Sequence, residues 1–145
     1  MLNMSATCGV DYSVNVNETD PVEFVHDKFG DRGADIVFEC VGSKETLDQA
    51  IRIARKGTRV VVVGVFSEEI PVKIGYVQDR EIELIGSLVY VARDFLDTIN
   101  LIQAGKIDPR PLITRVFPLE NISDAYKFVD ENKPASMKIL IEVSK

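Results

Sequence analysis

Three apolar runs of this chain end in or beside glycine. They are Glu39-Cys40-Val41-Gly42-Ser43, Val63-Gly64-Val65-Phe66 and Ile85-Gly86-Ser87-Leu88. Glycine has no Cβ, so a flat ligand can lie against its backbone, although each of these glycines could equally serve only to turn the chain. Other chemistry is sparse. Cys8, Cys40 and His26 are candidate metal or nucleophile residues, but their spacing fits no metal knuckle, and they read as two ordinary thiols and a surface imidazole. A lone histidine takes a base role only with a partner in hydrogen-bond reach. Neither a His-Glu-x-x-His pair, a phosphate-cradling Walker loop nor a Gly-x-Ser-x-Gly elbow occurs. Glu68-Glu69 and the Glu18/Asp20 pair read as solvated loop charge, and Lys138 as a solvent-facing residue opening the last apolar run.

Those glycines matter only if their runs are neighbouring strands. The periodicity predicts helices over residues 2–8, from Pro21, from the cap Ser43, over 74–79, 93–104 and about 121–131. Leu47, Ala50, Ile51 and Ala54 form one apolar stripe, with Arg55 and Lys56 suiting the helix end and Gly57 closing it. Phe95, Leu96, Ile99, Leu101 and Ile102 are expected to face inward. Strands are predicted over residues 12–16, 35–40, 59–65, 82–89, 112–117 and 138–143. Val60 to Val63 run without alternation, which predicts a parallel strand covered on both faces. Alternating strands and helices give an α/β fold with a mostly parallel sheet and helices on both faces. Asp108-Pro109-Arg110-Pro111 breaks the pattern and divides the chain into residues 1–108 and 109–145.

Composition excludes several classes. The chain has 145 residues, 46% of them hydrophobic, which suits a soluble globular domain. Seventeen basic against twenty-three acidic residues give a net charge of −6, so no basic stripe is available to nucleic acid. No apolar run reaches the roughly 18 residues of a membrane span. The start lacks the basic and apolar regions of a secretion signal, and a cytoplasmic location is expected.

The residues also resemble a known family. Gly33-Ala34-Asp35-Ile36-Val37-Phe38-Glu39-Cys40-Val41-Gly42, followed by Glu45-Thr46-Leu47, is similar to the fourth strand and next helix of zinc-type medium-chain dehydrogenases. Gly57-Thr58-Arg59-Val60-Val61-Val62-Val63-Gly64 resembles their fifth strand. Pro111-Leu112-Ile113-Thr114, Phe117-Pro118-Leu119 and Ala125 resemble the segment returning to their catalytic domain. The likeness is to the alcohol, polyol and threonine dehydrogenases. It implies a Rossmann-like sheet, NAD or NADP as cofactor, and oxidation of a small alcohol or polyol to a ketone. Matched position by position, it places Cys40, Val41 and Gly42 near the adenosine and nicotinamide ribose. Val63, Gly64 and Val65 would line the nicotinamide slot, and Ser87, Leu88 and Val89 would close it. Lys138 would reach the pyrophosphate. The strand carrying Ile82, Leu84, Ile85 and Ser87 would pair across a homodimer.

The sequence departs from the family in what it omits. No Gly-x-Gly-x-x-Gly turn is present, and neither is the acidic residue that holds the ribose. The resemblance puts zinc and the proton relay in an N-terminal domain outside this sequence. The chain is therefore expected to be the C-terminal, nicotinamide-side half of such an enzyme, without catalytic residues or metal ligands of its own and inactive alone. The alternative is a non-catalytic association module; a Rossmann-like methyltransferase fits the final strand poorly. In the family order 3-2-1-4-5-6 two central strands are lacking. The 12–16 strand must then repack beside the 35–40 strand, have its gap filled by a second copy, or belong to a truncated product.

Overall fold

A computed structural model describes residues 2–143 and divides them into two compact units. One runs from Val14 to Val89; the other joins the segment ending at Ser13 to the chain from Tyr90 onward.

The Val14–Val89 unit is built on three parallel strands in the order β1 (Ala34–Glu39), β2 (Ala54–Val62), β3 (Glu83–Gly86). The rows Val37–Val60–Leu84 and Phe38–Val61–Ile85 run across it in register. Helix α3 (Lys44–Ile53) forms where predicted. Ser43 caps it: the Thr46 amide donates to Ser43 Oγ at 3.2 Å, and the Ser43 amide donates to Thr46 Oγ1 at 3.3 Å. Its stripe of Leu47, Ala50 and Ile51 packs with Ala54, Val60, Val77 and Ile82 into the core. Burying each leucine or isoleucine there is worth about 1.5–3 kcal/mol. Val77 comes from α4 (Ile74–Asp79), and α2 (Pro21–Phe29) starts on its predicted cap, Asp20.

Four expectations are corrected. No strand forms at residues 12–16. A strand has no hydrogen bonds of its own without a neighbour, and the run closes a turn instead, with Asn15 Nδ2 donating to Glu18 at 2.8 Å. Helix α3 ends at Ile53, because Ala54 is already extended, so Arg55 and Lys56 enter β2 rather than capping the helix. Val60 is fully buried, but Val61 and Val62 are half-buried and Val63 is 41% exposed. The core seals the Val60 side; the other row keeps Phe38 63% exposed. The side chains expected inward on α5 (Ala92–Gln103) are all exposed, Phe95 at 56%.

In the second unit, β4 (Ile113–Pro118) and β5 (Lys138–Glu142) pair in parallel around α6 (Ile122–Glu131). Phe117 is buried against Phe128, ring centroids 5.8 Å apart, and the Arg115 guanidinium lies 4.8 Å and 4.9 Å from the two rings. The remaining helix, α1 (Leu2–Thr7), belongs here too. No helix among the described residues is long and apolar enough to cross a membrane.

Ile51→Ala is expected to lower unfolding free energy by about 2–5 kcal/mol in urea melts, whereas Phe95→Ala stays within about 0.5 kcal/mol. A large loss for Phe95→Ala would mean that the α5 face is covered in solution.

Candidate functional site

Glu39, the last residue of β1, ties the carboxyl ends of β1 and β2 together. Its main-chain carbonyl accepts from the Val63 amide at 2.8 Å and the Gly64 amide at 2.9 Å. Its side chain folds back, and Oε1 accepts from the amides of Val41 and Gly42 and from the Thr46 hydroxyl, each at 2.8 Å. One residue thus holds the β1 tip, the β2 tip and the first turn of α3. On the other side of β2, the Ser87 amide donates to the Val62 carbonyl at 2.8 Å, which brings in the end of β3.

Glu39 is only 3% exposed. Burial raises the pKa of such a carboxyl, but the Gly42 amide, the Thr46 hydroxyl and the Val41 amide outweigh it and hold the group below its ordinary value. The positive end of α3 lies on the same side. The second oxygen, Oε2, is buried without a hydrogen-bond partner among the described residues.

The glycines serve packing as well as access. Gly42 has φ +82°, and a Cβ there would run into the Val65 backbone, with the Val65 nitrogen at 2.7 Å. A Cβ on Gly64 would strike the Gly42 amide nitrogen and come 2.5 Å from Glu39 Oε2. These two glycines therefore make room for each other's loops. Of the three tip glycines Gly86 alone is open, with nothing within 4 Å of an added Cβ. The side chains around them are exposed: Val41 69%, Val65 74%, Leu88 79% and Val89 73%. Val89 takes φ +54°, a conformation rare for a β-branched residue.

The nine expected positions on the three tips, Cys40 to Gly42, Val63 to Val65 and Ser87 to Val89, therefore follow strand ends that are joined by hydrogen bonds. Lys138 belongs to the other unit, where it opens β5 opposite Ile113. Cys8 and Cys40 are free, exposed thiols. Sequence reasoning missed Glu39 as the organising residue. The available signal was an acid ending an apolar strand just before a glycine and a Ser/Thr helix cap. With the Glu39 carboxylate committed to the loop and helix behind it, this surface can present a flat apolar group to the sheet; Cys40 and Ser87 are exposed on it, and Ser67, Glu68 and Glu69 are exposed further along the loop from β2.

A sequence profile described as zinc-binding dehydrogenase matches residues 2–104. The chain belongs to that family. It is 38% identical over 130 residues to the 2-dehydro-3-deoxy-L-galactonate 5-dehydrogenase of Pseudoalteromonas atlantica, covering 90% of this chain and 38% of that protein. It is 28% identical over 141 residues to the sorbitol dehydrogenase of Bacillus subtilis, covering 97% and 40%. A solved structure from Sinorhizobium meliloti, bound to NADP, matches with TM-score 0.83 and 26% identity over 97% of this chain and 42% of that one. The fold is the α/β, Rossmann-like part of such dehydrogenases. The chain spans about two fifths of the length of these relatives.

The lowered pKa of Glu39 fixes a pH dependence. Its contribution to stability is complete above the ordinary carboxyl value of 4.5 and is lost as pH falls through the lower folded value. Glu39→Gln is expected to cost about 1–3 kcal/mol at pH 7. In urea melts from pH 7 to pH 3, the gap between the two proteins should narrow on the acid side. A constant gap would show that ionised Glu39 is not what the tips depend on.

Proposed function

We propose that this chain is the nicotinamide-side half of an NAD(P)-dependent alcohol or polyol dehydrogenase and does not turn over by itself. The hydrogen-bonded convergence of the three strand tips carries this reading, because ligands of open α/β sheets bind beyond the carboxyl ends of the strands. The tips suit a flat ring. Gly86 leaves its backbone uncovered, and exposed Val41, Val65, Leu88 and Val89 supply apolar contact around it.

Within this reading, Val63, Gly64 and Val65 meet the nicotinamide through backbone and side chain, and Ser87, Leu88 and Val89 bound it on the β3 side. Cys40, Val41 and Gly42 stand toward the ribose. When bound, the cofactor supplies the hydride acceptor for oxidation of the alcohol. The residues of this chain position it and exclude water from one face. Zinc fits nowhere here: among the described residues no group of three or more His, Cys, Asp and Glu side chains is placed to hold a metal. No step is therefore assigned to it. Residues 109–145 are proposed as the segment returning to the catalytic domain.

NADH titrated into the chain, followed by its fluorescence, is expected to bind saturably with Kd of about 1 mM or below, near −4.1 kcal/mol. Leu88→Asp should weaken this binding several-fold, and no alcohol-dependent reduction of NAD should occur. Binding that Leu88→Asp leaves intact would remove the tips from the site, and turnover by the purified chain would overturn its inactivity.

A second reading, association, is supported by β3. It is an edge strand, and Leu84 and Ile85 are 37% and 38% exposed on it. Such an edge is a template for pairing with another copy. Sedimentation at micromolar concentration should show a dimer that Leu84→Lys dissociates; a monomeric parent chain would dismiss this reading.

A further inference from the structure

The opposite end of the same sheet carries a different kind of surface. The loops that enter the three strands converge there: Arg32 precedes β1, Arg55 and Lys56 open β2, and Arg80 leads into β3. Together with Asp31 they line a concavity of about 320 Å³. That volume lies at the lower end of small-ligand sites, roughly 300–1,000 Å³. Four cations and one carboxylate line it, with the carboxylates of Asp35 and Glu81 paired to two of those cations.

The backbone draws these residues together. Gly33 has φ +76°, and a Cβ there would collide with the Ile53 carbonyl, so the loop carrying Arg32 can lie against the start of β2 only as glycine. The Gly57 amide donates to the Arg80 carbonyl at 2.8 Å, tying the β2 entrance to the β3 entrance. Glu81, next to Arg80, is held at φ +53°, a left-handed conformation costly for a residue with a side chain.

The cations are partly committed, and what remains faces several directions. Arg55 Nε pairs with Asp35 at 2.5 Å, and its Nη1 donates to the Lys56 carbonyl at 3.1 Å. Lys56 pairs loosely with Glu81 at 3.7 Å. Arg80 is fixed by Tyr76, donating to its hydroxyl at 2.7 Å with the guanidinium 5.3 Å from the ring centroid. Among the described residues, Arg55 Nη2, the remaining Arg80 nitrogens and the Arg32 guanidinium make no hydrogen bond and are open to a ligand. Donors entering from three loops suit a tetrahedral oxyanion better than a planar carboxylate, and guanidinium forks match phosphate oxygens in pairs.

We propose that this concavity is a second binding site, for a small phosphate-bearing anion, at the amino ends of the strands and away from the tips assigned to the nicotinamide. It stands independently of the dehydrogenase reading, because none of its residues belongs to the tips.

The test is a ¹⁵N NMR titration of the full chain with inorganic phosphate and with pyrophosphate, sodium chloride holding ionic strength constant. Expected are saturable shifts at the amides of Asp31 to Gly33, Arg55 to Gly57 and Arg80 to Glu81, with Val41, Gly42 and Gly64 unmoved. Pyrophosphate should bind more tightly than phosphate. Arg32→Gln, at an exposed side chain that makes no hydrogen bond or ion pair among the described residues, should weaken both by about fivefold or more at unchanged Tm. Shifts that do not saturate, that appear at lysines across the surface, or that centre on the tips would overturn the proposal. So would an Arg32→Gln variant that binds as tightly as the parent.

Discussion

A buried carboxylate that accepts three hydrogen bonds from the loop and helix that follow it governs the geometry of this molecule's strand tips. Glu39 stands where β1 must stop and α3 must start. Its side chain satisfies two amides that the turn would otherwise leave unpaired, and its carbonyl satisfies two more from the β2 tip. A neutral hydroxyl or amide could accept some of these bonds, but charge-assisted bonds are about twice as strong as neutral ones. The low-dielectric setting raises what is lost if any bond breaks. Close approach of the two loops depends on the same arrangement, since Gly42 leaves no space for a Cβ on Gly64 and the Val65 backbone leaves none for a Cβ on Gly42. The flat, apolar face presented by Val41 and Val65 is a consequence of that hub.

Much of this was legible in the sequence because the signals were local. Ser43 and Thr46 announced the helix, and the spacing of Leu47, Ala50 and Ile51 announced its buried face. The valines of β2 announced a strand among strands. The misreadings came where the outcome depends on partners distant in sequence. Residues 12–16 alternate as a strand should, but alternation says nothing of whether a neighbour exists. Arg55 and Lys56 suited a helix end by charge, yet Asp35 and Glu81 lie across the sheet entrance to pair with them. Gly42 and Gly64 were read as space for a ligand because periodicity cannot reveal that their own loops fill that space. Glu39 escaped notice because, in a list of residues, an acid ending an apolar strand looks like the first solvated charge of a loop.

Burial is uneven, and the unevenness has a physical sense. Parallel sheets in α/β proteins are usually covered on both faces. Here the Val60 face is sealed by α3 and α4, while Ile36 and Phe38 on β1 stay more than half exposed. The chain matches only about two fifths of its relatives' length.

The division of labour between the two ends of the sheet follows from the same strand chemistry. At the carboxyl ends Glu39 is withdrawn from solvent and committed to two backbone amides and the Thr46 hydroxyl, and Val41, Val63, Val65, Leu88 and Val89 beyond the strands are exposed and apolar. A ring can be held on such a face by contact area alone. The phosphates of a dinucleotide gain little from it, since cations or open amides are what hold phosphate. At the amino ends the reverse applies: Arg32, Arg55, Lys56 and Arg80 crowd one concavity and leave guanidinium nitrogens uncommitted. Apolar contact and anion binding are thus separated along the strands by the length of the sheet. A ligand that needs both at once must draw its phosphate contacts at the tips from residues beyond this three-stranded unit.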